Sequence, residues 1–156
     1  MARKTSKGLI KFLDGSTIKY TDIAAVIRKD KHLMALNVQG RQIGYVELSE
    51  KDGRTPADAD SWIAEVISSI QKDSFIALDD GGSFIRCSAV HAVENHSGRD
   101  YRGLIFRGFE DVILSFLPVS ASDMREKAAN IVNEVLVSFE AGKPMQTDLT
   151  EILLTN

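Results

Sequence analysis

An apolar strand, an Asp/Gly turn and a second apolar strand occur twice in this chain, at Gly8 to Tyr20 and again at Ser74 to Cys87. The echo continues downstream. Ile23 and Val26 correspond to Val90 and Val93, Leu36 and Val38 to Leu104 and Phe106, and Ile43 and Tyr45 to Val112 and Leu114. Trp62, Ile63, Val66, Ile67 and Ile70, at helical spacing, correspond to Ile131, Val132, Val135, Leu136 and Phe139. The offset drifts from about 66 to about 69 residues at turns, where insertions disturb a fold least. Two copies of so long a unit describe a duplication and exclude a solenoid of short repeats.

Each copy reads as ββββα. Asp14-Gly15 supplies the turn of the opening hairpin, and Asp79-Asp80-Gly81-Gly82 its counterpart. The second strand of the first copy runs on to Lys29 with a bend near Thr21-Asp22, and Gln39-Gly40-Arg41 turns the next hairpin. Thr55-Pro56-Ala57-Asp58 combines an N-cap, a proline at the first helical position and an acid near the positive end of the dipole. In the second copy, strands over Phe84 to Val93, Tyr101 to Phe106 and Val112 to Leu117 lead to Pro118. Ser120 or Ser122 is the expected cap of a helix with a stripe of Met124, Ala128, Ile131, Val132, Val135, Leu136 and Phe139, ended by Gly142 and Pro144. Only Gln71-Lys72-Asp73 joins the copies, too short a linker for independent domains. The expectation is one α+β domain over 1–156, with repeats at about 8–71 and 74–140, a short basic N-terminal tail and an aliphatic C-terminal tail over 145–156. The two halves are expected to pack with pseudo-twofold symmetry.

This ββββα-ββββα order resembles the fold of the Whirly and Pur-alpha families of single-stranded nucleic-acid binding proteins. The resemblance covers residues 8 to 140 by order of elements, and the Whirly signature Lys-Gly-Lys-Ala-Ala-Leu is absent. It implies a nucleic-acid face on a sheet. A net charge of -3, from 19 basic and 22 acidic residues, runs against a strongly basic binder.

A lone cysteine, Cys87, forbids an intramolecular disulfide and suggests a reducing compartment, so a cytoplasmic location is expected. The basic N-terminus is followed by a strand-like stretch containing Lys11, not by a signal-peptide core. No run approaches the roughly 18 apolar residues of a membrane helix.

For chemistry, His32, His91 and His96 have no metal-ligand spacing, Asp79 and Asp80 are explained by turn geometry, and Cys87 reads as a packed thiol. No phosphate loop or nucleophile elbow is present. We therefore expect a non-enzymatic binding or assembly protein without metal or cofactor, self-associating or recruiting a protein partner. Its expected contacts are the tail aliphatics Leu149, Ile152, Leu153 and Leu154, docked as a short helix on the body or on another copy. The alternative is single-stranded nucleic-acid binding through Arg99, Tyr101, Arg102, Phe106 and Arg107, a segment that interleaves guanidinium groups with stacking rings. The repeat places Arg41 and Tyr45, with Lys19 and Arg86 on the hairpins, near this segment. A small-ligand site in the cleft between the copies has no residue set that the sequence names.

Overall fold

The computed structural model describes residues 8–70, 75–78, 82–143 and 147–149. In chain order, β1 (Leu9–Lys11) and β2 (Thr17–Lys19) form a hairpin, and β3 (Ala25–Lys29), β4 (His32–Leu36) and β5 (Gln42–Glu47) form a meander that ends in α1 (Pro56–Ser69). A second hairpin, β6 (Phe75–Ala77) and β7 (Phe84–Arg86), precedes a second meander, β8 (Ala92–Ser97), β9 (Arg102–Arg107) and β10 (Ile113–Pro118). Then come α2 (Ser122–Glu140) and the two-residue β11 (Thr147–Asp148). The fold is mixed α+β, with ten strands in three antiparallel sheets and β11 added in parallel to β6.

Local chemistry explains most boundaries. In the first hairpin, Asp14 Oδ1 accepts from the Ser16 amide at 2.8 Å, and Gly15 takes a φ of 89° that side chains resist. The Thr55 hydroxyl accepts from the Asp58 amide while the Asp58 carboxylate accepts from the Thr55 amide, a reciprocal capping box that fixes the start of α1. α2 begins differently. Its cap is Ala121, without a side-chain bond, rather than Ser120 or Ser122.

Two expected continuous strands are broken by single 3-10 turns, Tyr20–Asp22 and Cys87–Ala89, so each meander follows a hairpin as a separate unit. Cys87 therefore sits in a turn, buried at 2% exposure, not within a strand. The sheets are also unequal. They hold two, three and six strands, with orders β1-β2, β10-β9-β8 and β11-β6-β7-β3-β4-β5, where two matching four-stranded sheets were expected.

The six-stranded sheet is joined at one seam. β7 pairs with β3 through Ala25↔Ile85 and Val26↔Phe84, so the second hairpin joins the first meander. Side chains alternate across that seam. Val26 and Phe84 enter a core with Trp62, Ile63 and Val66 of α1, whereas Ala25 and Ile85 enter a second core with Ala128, Val132 and Val135 of α2. Each helix thus covers its own core, and the two cores share β3, β4 and β7. Burying each large aliphatic or aromatic side chain of this kind contributes about 1.5–3 kcal/mol.

Candidate interaction surface

The three-stranded sheet carries the segment from Arg99 to Phe109, and its register sorts that segment into two faces. One face is built from the rows Val93–Phe106–Ser115 and Asn95–Leu104–Leu117, and Leu104, Phe106 and Leu117 lie in the core beneath α2. The outer face consists of Ala92–Arg107–Ile113, Glu94–Ile105–Phe116 and His96–Gly103–Pro118.

On the outer face, the Tyr101 ring lies over Gly103, where an added Cβ would come within 2.5 Å of Tyr101 Oη. Tyr101 Oη donates to the Leu104 carbonyl at 3.1 Å, and its ring meets Phe116 edge-on at 5.4 Å and His96 at 6.0 Å. Partial burial raises the Tyr101 pKa above its ordinary value. Beside this cluster, Glu94 Oε1 accepts from Arg107 Nε and Nη2 at 3.2 and 3.0 Å, and Glu94 Oε2 lies 2.7 Å from His96 Nδ1. The hydrogen bond with His96, then that with Arg107, holds the Glu94 carboxyl below its usual range.

The sequence-derived patch is divided by this geometry. Phe106 has 0% exposure and belongs to the core, which removes it from any stacking surface. Arg107 is tied to Glu94 and to the Asp111 carbonyl. Arg102 lies on the Phe106 side of β9 at the open end of the sheet, and Arg99 is exposed in the preceding loop. Of the five residues, Tyr101 and Arg107 lie on the outer face, and only Tyr101 meets neighbouring rings there. Arg86 is drawn away as well, since its Nη1 donates to the Ile23 carbonyl at 3.1 Å. Tyr45 stacks on His32 in the six-stranded sheet, not beside Tyr101.

The tail also differs from expectation. Where it is described it is a strand, and the Leu149 amide donates to the Ala77 carbonyl at 3.0 Å. Leu149 has 0% exposure and packs in the core with Val132 and Val135, so it is an internal anchor and not an intermolecular contact. Ile152, Leu153 and Leu154 lie outside the described residues, as do Asp79, Asp80 and Pro144. Comparison with protein-family models, with curated proteins and with solved structures finds no match.

The surface is then defined by what β10 presents. β10 is an edge strand with the sequence Ile113-Leu-Ser-Phe-Leu-Pro118 and no charged side chain. Among the described side chains the edge strands β1, β2, β5 and β8 each carry one: Lys11, Lys19, Glu47 and Glu94. Such charges normally discourage strand addition. Ile113 and Phe116 are 40% and 50% exposed, and Phe109, in the turn before β10, is 50% exposed. Glu110 and Asp111 at φ 55° and 65° make that turn tight, and the Phe109 ring stands edge-on to His91 at 6.1 Å. Sequence reasoning missed Ile113 and Phe116, although the signal was present as an uncharged six-residue strand, whereas Phe109 closed the aromatic and arginine-rich segment that it singled out. Among the described residues there is no cluster of three metal-ligating side chains, and no helix is long and apolar enough to cross a membrane.

Proposed function

We propose that this chain is a non-enzymatic protein-binding module that self-associates through the edge and outer face of β10. One observation carries the reading: β10 is the uncharged edge, with Ile113 and Phe116 exposed upon it. An apolar, uncharged edge, from Leu114 onward past the Gly40 turn that lies against Val112 and Ile113, offers backbone donors and acceptors together with side-chain burial, and a second copy presents the same self-complementary strand in antiparallel sense. Tyr101, braced against Phe116, extends the contact face, and the Glu94–Arg107 pair forms its polar rim.

The same reading takes the recurring order of hairpin, meander and helix as a duplication, and the chain as one cytoplasmic domain. The shared β3–β7 seam supports the single domain. Nucleic-acid binding through Arg99, Tyr101 and Arg102 ranks below this reading, because Phe106 is buried and Arg107 is engaged.

Amide hydrogen exchange at two protein concentrations, about a hundredfold apart, tests the proposal. Slower exchange over Ile113 to Pro118 at the higher concentration is expected. Identical exchange of that strand at both concentrations would refute self-association there.

A further inference from the structure

Between β10 and the adjoining ends of β3 and β7 runs a groove of ≈ 350 Å³ that shares Phe116 and Pro118 with the outer face but is lined by neither Ile113 nor Phe109. Its wall is apolar, with Ile27 from β3, Leu78 from the second hairpin, and Phe116 and Leu117 from β10. Four residues with polar side chains, Arg28, Lys29, Ser83 and Ser115, interrupt that wall. Lys29 is exposed and has no acidic partner among the described residues. Ser115, at 5% exposure, lines the groove with a hydroxyl that bonds to nothing among the described residues.

The neighbouring cation, Arg28, is occupied on the far side by Asp60 and by the Pro56 carbonyl at 3.3 Å. Ser83, the other hydroxyl at the groove, bridges the Arg28 amide and carbonyl at 2.8 and 3.1 Å, replacing a missing strand pairing. Ser115 Oγ is not among the buried polar atoms that lack a partner, so it keeps contact with solvent at the groove and is open to an incoming group.

We propose that this groove binds a small amphipathic carboxylate, its apolar tail against Ile27, Leu78 and Leu117 and its head group at Lys29 and Ser115. Among the described residues, size, polarity and charge agree on this class. The volume falls within the roughly 300–1,000 Å³ of small-molecule sites, which are mostly apolar with a few placed polar groups. A carboxylate accepts from both the ammonium and the hydroxyl, whereas a cationic head would meet Lys29 as a like charge. This site goes beyond the self-association reading but shares Phe116 with it, so the two are separated by readout, ligand-induced shifts at Lys29 and Ser83 for the groove and molecular mass for association.

The test is titration of the ¹⁵N-labelled chain with octanoate to about 10 mM, near the weak limit expected of so small a ligand. Octylammonium and 1-octanol serve as head-group comparators. Octanoate is expected to shift the amides of Lys29, Ser83, Ser115 and Leu117 saturably, and octylammonium to bind more weakly. Lys29→Ala should weaken octanoate about two- to fivefold, the range of an exposed ion pair, without changing octanol. Ile27→Trp should fill the groove and abolish the shifts. If Ile27→Trp does not fold, Lys29→Ala and the head-group series decide the question alone. Unmoved groove amides at the highest octanoate concentration would overturn the proposal, as would equal affinity for octylammonium or an unaltered octanoate affinity in Lys29→Ala.

Discussion

Replacing Arg125 with methionine is predicted to destabilise the fold although it removes a buried charge. Arg125 stands in the first turn of α2 at 5% exposure, and no carboxylate among the described residues pairs with it. A cation without a counter-ion costs several kcal/mol to bury, and a helix N-terminus is the unfavourable end for it by about 0.3–1 kcal/mol. Against this, Arg125 Nε donates to Asn95 Oδ1 at 3.0 Å, and Nη1 donates to the Val119 and Ser120 carbonyls at 3.1 and 2.7 Å. Hydrogen bonds from a charged donor contribute about 1.5–3 kcal/mol each, so three of them outweigh the cost of burial. In Arg125→Met the methionine would refill the apolar space of the side-chain stem. Exposed Asn95 and Ser120 would regain water, but the carbonyl of buried Val119 would not. The net loss is about 2–4 kcal/mol, which at this chain length lowers Tm by about 5–15 °C. Urea unfolding followed by circular dichroism measures it, with Arg125→Lys recovering part of the loss because it keeps the charge without the planar fork. A methionine variant as stable as the parent would show that the cost of burying the charge dominates and that this reasoning is wrong.

Phe106→Ala should cost about 3–5 kcal/mol and Phe116→Ala less than about 1 kcal/mol in the same assay at low protein concentration; equal costs would contradict their placement on opposite faces. Gly103→Ala would put a Cβ 2.3 Å from the Leu117 carbonyl oxygen and 2.9 Å from Pro118 Cα, forcing β9 and β10 apart. A loss of at least about 1–3 kcal/mol is expected by urea unfolding, and a neutral substitution would refute the close approach. The carboxyls of Glu94, Asp58 and Asp14 are all held below their ordinary values by hydrogen bonds, from His96 and Arg107, from Thr55 and from Ser16 respectively. The folded state therefore binds fewer protons than the unfolded chain at acidic pH, and this stabilisation, present above the ordinary values, is lost as pH falls through the folded ones. Glu65, raised by burial, acts in the opposite sense. Tm should decline below about pH 4.5, less steeply in Glu94→Gln, and a Tm that rises on acidification would contradict the net effect of these groups.

What could be read from the sequence was local. Thr55-Pro56-Ala57-Asp58 announced α1 because capping chemistry is contained within four residues, and Gly15 and Gly40 announced turns that need positive φ, observed at 89° and 76°. Element order followed from the same periodicities. Strand partnership did not, because nothing local places β7 against β3, separates β2 from β3 or adds β11 to β6, and these choices together replace two equal sheets by sheets of two, three and six strands. Phe106 shows the same limit at the site. Its flanking arginines suggest a surface, yet alternation alone leaves the buried face of β9 open until α2 is placed over Leu104 and Phe106. Arg125 was hidden because a single arginine in an amphipathic helix reads as solvated, and its partners lie 30 residues upstream at Asn95 and just before the helix at Val119 and Ser120.

Sedimentation of the parent chain and of the Ile113→Lys/Phe116→Lys double variant tests the central claim most directly, since both substitutions place charge on the exposed edge without touching a core. The account predicts that the parent's mass rises with concentration from 17.2 kDa toward twice that value, while the double variant stays at 17.2 kDa with its circular dichroism unchanged. A parent that remains at 17.2 kDa throughout, or a folded double variant that associates as the parent does, would contradict it.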